Sequence, residues 1–114
     1  MITLHHCHET RSMRTLWLLH EMGLDFDLKI YPFGKELRTP EYLAIHPLGR
    51  VPCLQDDDLI LFETGAITQY LVEKYPENGL GRPPGDQERT HWLQWLHYAE
   101  TVAVHGATLT QQHI

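Results

Sequence analysis

The spacing of apolar residues changes period several times along the chain, and each change predicts an element. Ile2–His6 reads as a short strand. In Ser12–Met22, Met13, Leu16, Trp17 and His20 recur at helical spacing, and Gly23 stands where a helix cap belongs. Phe26, Leu28 and Ile30 alternate with Asp27, Lys29 and Tyr31, the pattern of a half-buried strand that Pro32 stops. Thr39-Pro40 predicts an N-cap followed by proline at the first helical position, opening a short helix to about Ile45. His46-Pro47-Leu48-Gly49 reads as a turn. Pro52–Gln55 and Leu59–Phe62 read as a hairpin around Asp56-Asp57-Asp58, and Gly65–Tyr75 as a helix with Ile67, Tyr70 and Leu71 inward. The order is βαβ, helix, ββ, helix, which places the chain in the α/β class.

The region after that last helix differs in character. Pro76, Gly79, Gly81, Pro83, Pro84 and Gly85 crowd one stretch, the composition of a linker. Asp86 then opens a new helix. Trp92, Trp95, Leu96, Ala99, Val102 and Ala103 form a broad apolar stripe on it, suited to domain packing. The expected organisation is a domain over residues 1–76, a linker over 77–85, and the start of an all-α domain over 86–114.

Charge and composition remove several classes of function. A net charge of −6 without a basic run argues against nucleic acid. Stretches such as Leu16–Leu19 are too short to cross a membrane. Met1–His6 lacks the basic region and long apolar core of a secretory signal. Cys7 and Cys53 make no disulfide framework, so a reducing, cytoplasmic setting is expected.

Two blocks carry candidate chemistry. Val51-Pro52 stands at the start of a strand, where proline cannot donate to a ladder. A cis Val51–Pro52 bond there would turn the Val51 N–H and C=O outward to pair with a peptide-like ligand. Eleven residues on, Glu63-Thr64 opens a helix whose bare N–H groups suit a carboxylate. Together they suit a small acidic peptide, of which glutathione is the obvious candidate.

Three segments in order sharpen that picture. They are Thr10-Arg11-Ser12-Met13-Arg14-Thr15-Leu16-Trp17-Leu18-Leu19-His20-Glu21, His46-Pro47-Leu48-Gly49-Arg50-Val51-Pro52, and Phe62-Glu63-Thr64-Gly65-Ala66-Ile67. With them, residues 1 to about 80 resemble the N-terminal domain of glutathione S-transferases, in particular a fungal and bacterial subgroup. The resemblance implies a thioredoxin-like βαβ-α-ββα domain with a mixed four-stranded sheet, followed by the first helix of an all-α domain. It implies glutathione as co-substrate, no metal, and attack of the activated thiol on a small electrophile. In that family the assembly is a homodimer, and the second substrate lies between the domains. Thr10 is the first choice for the hydroxyl that stabilises the thiolate, with Ser12 beside it. Glu63 would hold the ligand's ammonium and Thr64 its γ-glutamyl carboxylate. The Val51 backbone, ahead of Pro52, would pair with the cysteinyl unit. Arg50 would face the glycyl carboxylate or solvent. Lys35 and Leu37 lie in the stretch that often lines the glycyl end.

Other readings of the same residues stand beside these. Thr10 and Ser12 also fit plain helix capping. His5, His6, Cys7 and His8 suggest a metal, but alternate strand residues point to opposite faces, so ordinary strand positions are expected. Cys7 and Glu9 could also border the sulfur, and Cys53 reads as buried packing. The alternatives to a transferase are a non-catalytic glutathione- or protein-binding module and a Cys7-dependent thiol transferase.

Overall fold

A computed structural model describes residues 1–112. The chain divides into two compact units, Met1–Thr68 and Gln69–Ile114. The first contains β1 (Ile2–His6), α1 (Ser12–Glu21), β2 (Phe26–Ile30), α2 (Pro40–Leu43), β3 (Cys53–Asp56) and β4 (Leu59–Phe62). Helix α3 (Thr64–Lys74) begins in it, and the division falls inside that helix. The sheet order is β2-β1-β3-β4, with β1 parallel to β2 and antiparallel to β3, and β3 antiparallel to β4. This is the mixed four-stranded thioredoxin-like arrangement expected from the sequence.

Local chemistry sets most element ends. The Thr39 hydroxyl accepts from the Tyr42 N–H at 3.2 Å, and Pro40 occupies the first turn of α2, as the Thr-Pro pair predicts. Gly23, with φ of 65°, follows α1 in the left-handed conformation that glycine adopts freely. Asp57 and Asp58 make the tight connection between β3 and β4, with Asp57 at φ of 52°. The Asp57 carboxylate also accepts from the chain's N-terminal ammonium at 2.6 Å.

Strand β1 is paired on both edges and packs under α1. Ile2, Leu4, His5 and His6 are all buried. Leu4 stands opposite Leu54 of β3, and both are inaccessible to solvent, as is Ile67 of α3. The faces of two elements differ from the sequence pattern. In α1 the buried residues are Ser12, Thr15 and Leu19, whereas Met13 and Trp17 are exposed, Trp17 by 68%. The periodic apolar set therefore lies on the outer side, because the inner side follows the polar anchor at Ser12. Strand β2 is an edge strand with Leu28 and Ile30 exposed.

The second unit holds the end of α3 and the long helix α4 (Arg89–Gln112). The Asp86 carboxylate accepts from the Glu88 N–H at 2.8 Å just ahead of α4. Arg89 donates to the Arg82 carbonyl at 2.8 Å, and the Trp92 indole N–H donates to the Leu80 carbonyl at 3.0 Å, tying the Pro/Gly-rich segment to the first turns. No residue of α4 is fully buried, and Trp95 of its apolar stripe is 66% exposed. No helix of the described residues is long and apolar enough to cross a membrane.

The Leu4–Leu54 contact lies at the centre of the first unit. Leu4→Ala should lower unfolding stability by about 2–5 kcal/mol, the range for large-to-small changes at closed core sites. Urea unfolding followed by circular dichroism measures this, and an unchanged midpoint would contradict the packing described.

Candidate functional site

The ladder register gathers the three sequence blocks at one end of the sheet. β1 pairs with β2 from Ile2↔Phe26 to His6↔Ile30, and with β3 from Ile2↔Asp56 to His5↔Cys53. β3 pairs with β4 from Asp56↔Leu59 to Cys53↔Phe62. The end of β1, the start of β3 and the end of β4 are therefore neighbours. Cys7–Ser12, Val51-Pro52 and Glu63-Thr64 leave the sheet together.

The Val51–Pro52 bond is cis. Pro52 is buried, Val51 half-buried and Arg50 exposed. Both residues 51 and 52 precede the first paired residue, Cys53, so they lie past the ladder. The Tyr42 hydroxyl donates to the Arg50 carbonyl at 2.5 Å, fixing the loop from α2. Gly49 holds φ of 60°, and a Cβ there would sit 2.5 Å from the Leu37 carbonyl oxygen. Only glycine fits that close approach. Glu63 is exposed and adopts φ of 75°, an uncommon conformation for a side-chain-bearing residue. Thr64 is buried and opens α3. Lys35 is exposed and Leu37 buried in a short 3-10 turn before α2.

The loop after β1 is a compact hydrogen-bond cluster. Ser12 is fully buried; its Oγ accepts from the Cys7 N–H at 3.1 Å and lies 3.0 Å from the Cys7 carbonyl. The Thr10 hydroxyl donates to that same carbonyl at 2.7 Å and sits 2.8 Å from Ser12 Oγ. Thr10 is half-buried, whereas Ser12 is inaccessible to solvent. The N-cap position of α1 is Arg11, whose side chain makes no cap bond, while the Thr10 hydroxyl accepts from the Ser12 N–H at 3.3 Å at the helix opening. Cys7 is buried, and burial, then the nearby Glu9 charge, pushes its thiol pKa up. Burial lifts the Cys53 thiol to about 11. A raised pKa disfavours the thiolate at both, so both are poor nucleophiles at neutral pH.

His5 and His6, expected as ordinary strand residues, have hydrogen-bonding partners, those of His5 distant in sequence. His5 is buried, with Nδ1 2.8 Å from the Tyr31 hydroxyl and Nε2 2.5 Å from Gln55 Oε1. On the adjacent position, His6 is buried with Nδ1 2.6 Å from Ser12 Oγ and Nε2 2.9 Å from His8 Nδ1. His46 is buried and accepts from the Leu48 N–H at 3.2 Å, its ring 4.0 Å from that of Phe62. Consecutive buried histidines in a strand signal two covered faces, because each points to an opposite side.

The comparisons with known proteins agree with this fold. The family model described as "Glutathione S-transferase, N-terminal domain" matches residues 1–73. Glutathione S-transferase 3 of Schizosaccharomyces pombe is 32% identical over 100 residues, which is 88% of this chain and 41% of that protein. The crystal structure of a glutathione transferase from Methylococcus capsulatus superposes with a TM-score of 0.78 at 35% identity, over 89% of this chain and 51% of that one. A glutathione transferase homologue from Sulfitobacter, crystallised with bound glutathione, gives a TM-score of 0.69 at 38% identity, over 76% and 42% of the two chains. The chain belongs to the glutathione S-transferase family. It spans about half the length or less of these relatives.

Burial holds His5, His6 and His46 below the ordinary histidine value of 6.5. As pH falls, the unfolded chain therefore takes up these protons before the folded one does. Their contribution to stability is intact above 6.5 and is lost as pH falls through 6.5 toward the lowered folded values. The urea midpoint should fall across that window, and His5→Phe should flatten the slope. A midpoint independent of pH there would contradict this.

Proposed function

We propose that this chain binds glutathione at the shared end of β1, β3 and β4 and presents its thiol as a thiolate for attack on a small electrophile. The observation that carries the reading is the register that sets Val51-Pro52 and Glu63-Thr64 side by side, next to the loop holding Thr10. Backbone beyond the ladder suits the ligand's peptide unit, and the N-terminus of α3 suits its α-carboxylate. Glu63 supplies the negative charge that an ammonium needs, and Thr64 a hydroxyl at the helix opening. Arg50, exposed beside Val51, carries the charge that suits the glycyl carboxylate. The glutathione bound in the Sulfitobacter homologue supports the same ligand here.

Thr10 is the thiolate donor in this reading. A hydroxyl hydrogen bond to sulfur favours the charged form and so lowers the thiol pKa. Ser12, inaccessible to solvent, meets Thr10 and the Cys7 backbone and helps to hold both in place. A Cys7 thiol-transferase reading is disfavoured by the burial and raised pKa of that thiol. The family's homodimeric, cytoplasmic setting carries over with the transferase reading.

Two variants test it. Glu63→Ala should weaken glutathione binding by at least about tenfold, since a hydrogen bond to a charged group contributes on the order of 1.5–3 kcal/mol. Titration calorimetry measures it, and unchanged affinity would sink the assignment. Thr10→Ala should lower kcat/KM with a chromophoric electrophile by about a hundredfold, the loss typical of one removed donor, and Thr10→Ser should recover most of it.

A further inference from the structure

Thr10, Ser12, His6 and His8 form a continuous line of hydrogen-bonding atoms running from the candidate site to the surface. Thr10 Oγ1 is 2.8 Å from Ser12 Oγ. Ser12 Oγ is 2.6 Å from His6 Nδ1, and His6 Nε2 is 2.9 Å from His8 Nδ1. Ser12 and His6 are fully buried, Thr10 is half-buried, and His8 is exposed. The chain is thus closed to water in its middle and open at its two ends. Packing alone does not require this. A buried histidine needs partners for its two ring nitrogens, but a single buried hydroxyl and a backbone carbonyl would serve.

We propose that these four side chains are a proton relay that carries the proton of glutathione's thiol to solvent. The inference rests on the preceding reading that Thr10 meets the sulfur. The relay starts from the tautomers in which His6 and His8 each carry a proton on Nε2 and accept at Nδ1, an arrangement that the two ring contacts accommodate. The thiol gives its proton to Thr10 Oγ1, Thr10 passes its own to Ser12 Oγ, and Ser12 passes its own to His6 Nδ1. The Nε2 proton of His6 moves to His8 Nδ1, and His8 releases its Nε2 proton to water. The sulfur keeps the electron pair as a thiolate, both hydroxyls are protonated again, and no oxidant or reductant enters.

The Cys7 carbonyl makes the switching simple. It lies 2.7 Å from Thr10 Oγ1 and 3.0 Å from Ser12 Oγ, so each hydroxyl turns only about its own C–O bond between that acceptor and the next relay member. Across the ladder His6 faces uncharged Ile30 of β2. In the loop the charged residues are Glu9, which acts on Cys7, and Arg11, which stands between Thr10 and Ser12. The tendency of buried His6 to shed its charge suits a group that passes a proton on without keeping it.

The test is stopped-flow mixing of the chain with glutathione, with a pH indicator reporting proton release and calorimetry reporting affinity. His8→Ala, at an exposed position, should leave affinity unchanged and slow proton release by about a hundredfold, the lower end of what one positioned proton-transfer group contributes. Added imidazole should restore the rate in His8→Ala, which a purely structural role would not allow. His6→Gln keeps hydrogen bonding but passes no proton, and should show the same loss without rescue. If His6→Gln fails to fold, His8→Ala and its rescue decide alone. Wild-type proton release in His8→Ala, with glutathione bound, would overturn the relay and leave the glutathione reading standing. Absence of glutathione binding by the unaltered chain would overturn both.

Discussion

Strand β1 takes hydrogen bonds on both edges, from β2 in parallel and from β3 in antiparallel register. The antiparallel half of that arrangement constrains everything around the site. Shifting β3 by one residue would turn Leu54 away from Leu4 and expose it. The same shift would move Pro52 off the end of β1 and carry β4, with Glu63 and Thr64, along with it. The contact that closes the core is therefore also what aligns the loops. Core packing and site geometry share one register.

A strand covered on both faces has no solvent-facing side for polar residues. His5 and His6 sit at adjacent buried positions and point to opposite faces, so each needs its own set of partners. His5 finds Tyr31 and Gln55, and its ring lies 5.6 Å from that of Tyr42. Tyr42 in turn holds the Arg50 carbonyl. His6 finds Ser12 and His8. One histidine thus supports the segment before Val51 and the other the loop that carries Thr10. Satisfying buried polar atoms and rigidifying the two loops are the same set of bonds.

Much of this was legible in the chain and some was not. The Thr39-Pro40 cap, the paired aspartates of the hairpin and the strand limits of Leu59–Phe62 follow from local chemistry, and local rules found them. The inward face of α1 was not legible. Its apolar period points to Met13 and Trp17, but the helix turns Ser12, Thr15 and Leu19 inward, because Ser12 is bonded to the end of β1. The alternation in Phe26–Ile30 suggested a half-buried strand, yet an edge position leaves Leu28 and Ile30 exposed. Neither outcome has a signature in the spacing of the residues themselves. The histidine partners were missed for the same reason, since Gln55 and Tyr31 are distant in sequence.

The sequence by itself determined the order of elements, the turn chemistry, and which residue types are available for a small acidic peptide. Those depend on interactions within a few residues: a cap, a glycine's left-handed φ, a proline's missing N–H. Only the tertiary structure decided which of those residues meet. Val51, Glu63 and Thr10 are brought to one end by ladder register, and Thr10 rather than Ser12 is left accessible by the packing of α1 on β1. Register and burial are properties of pairs of elements, and no single stretch of sequence contains them.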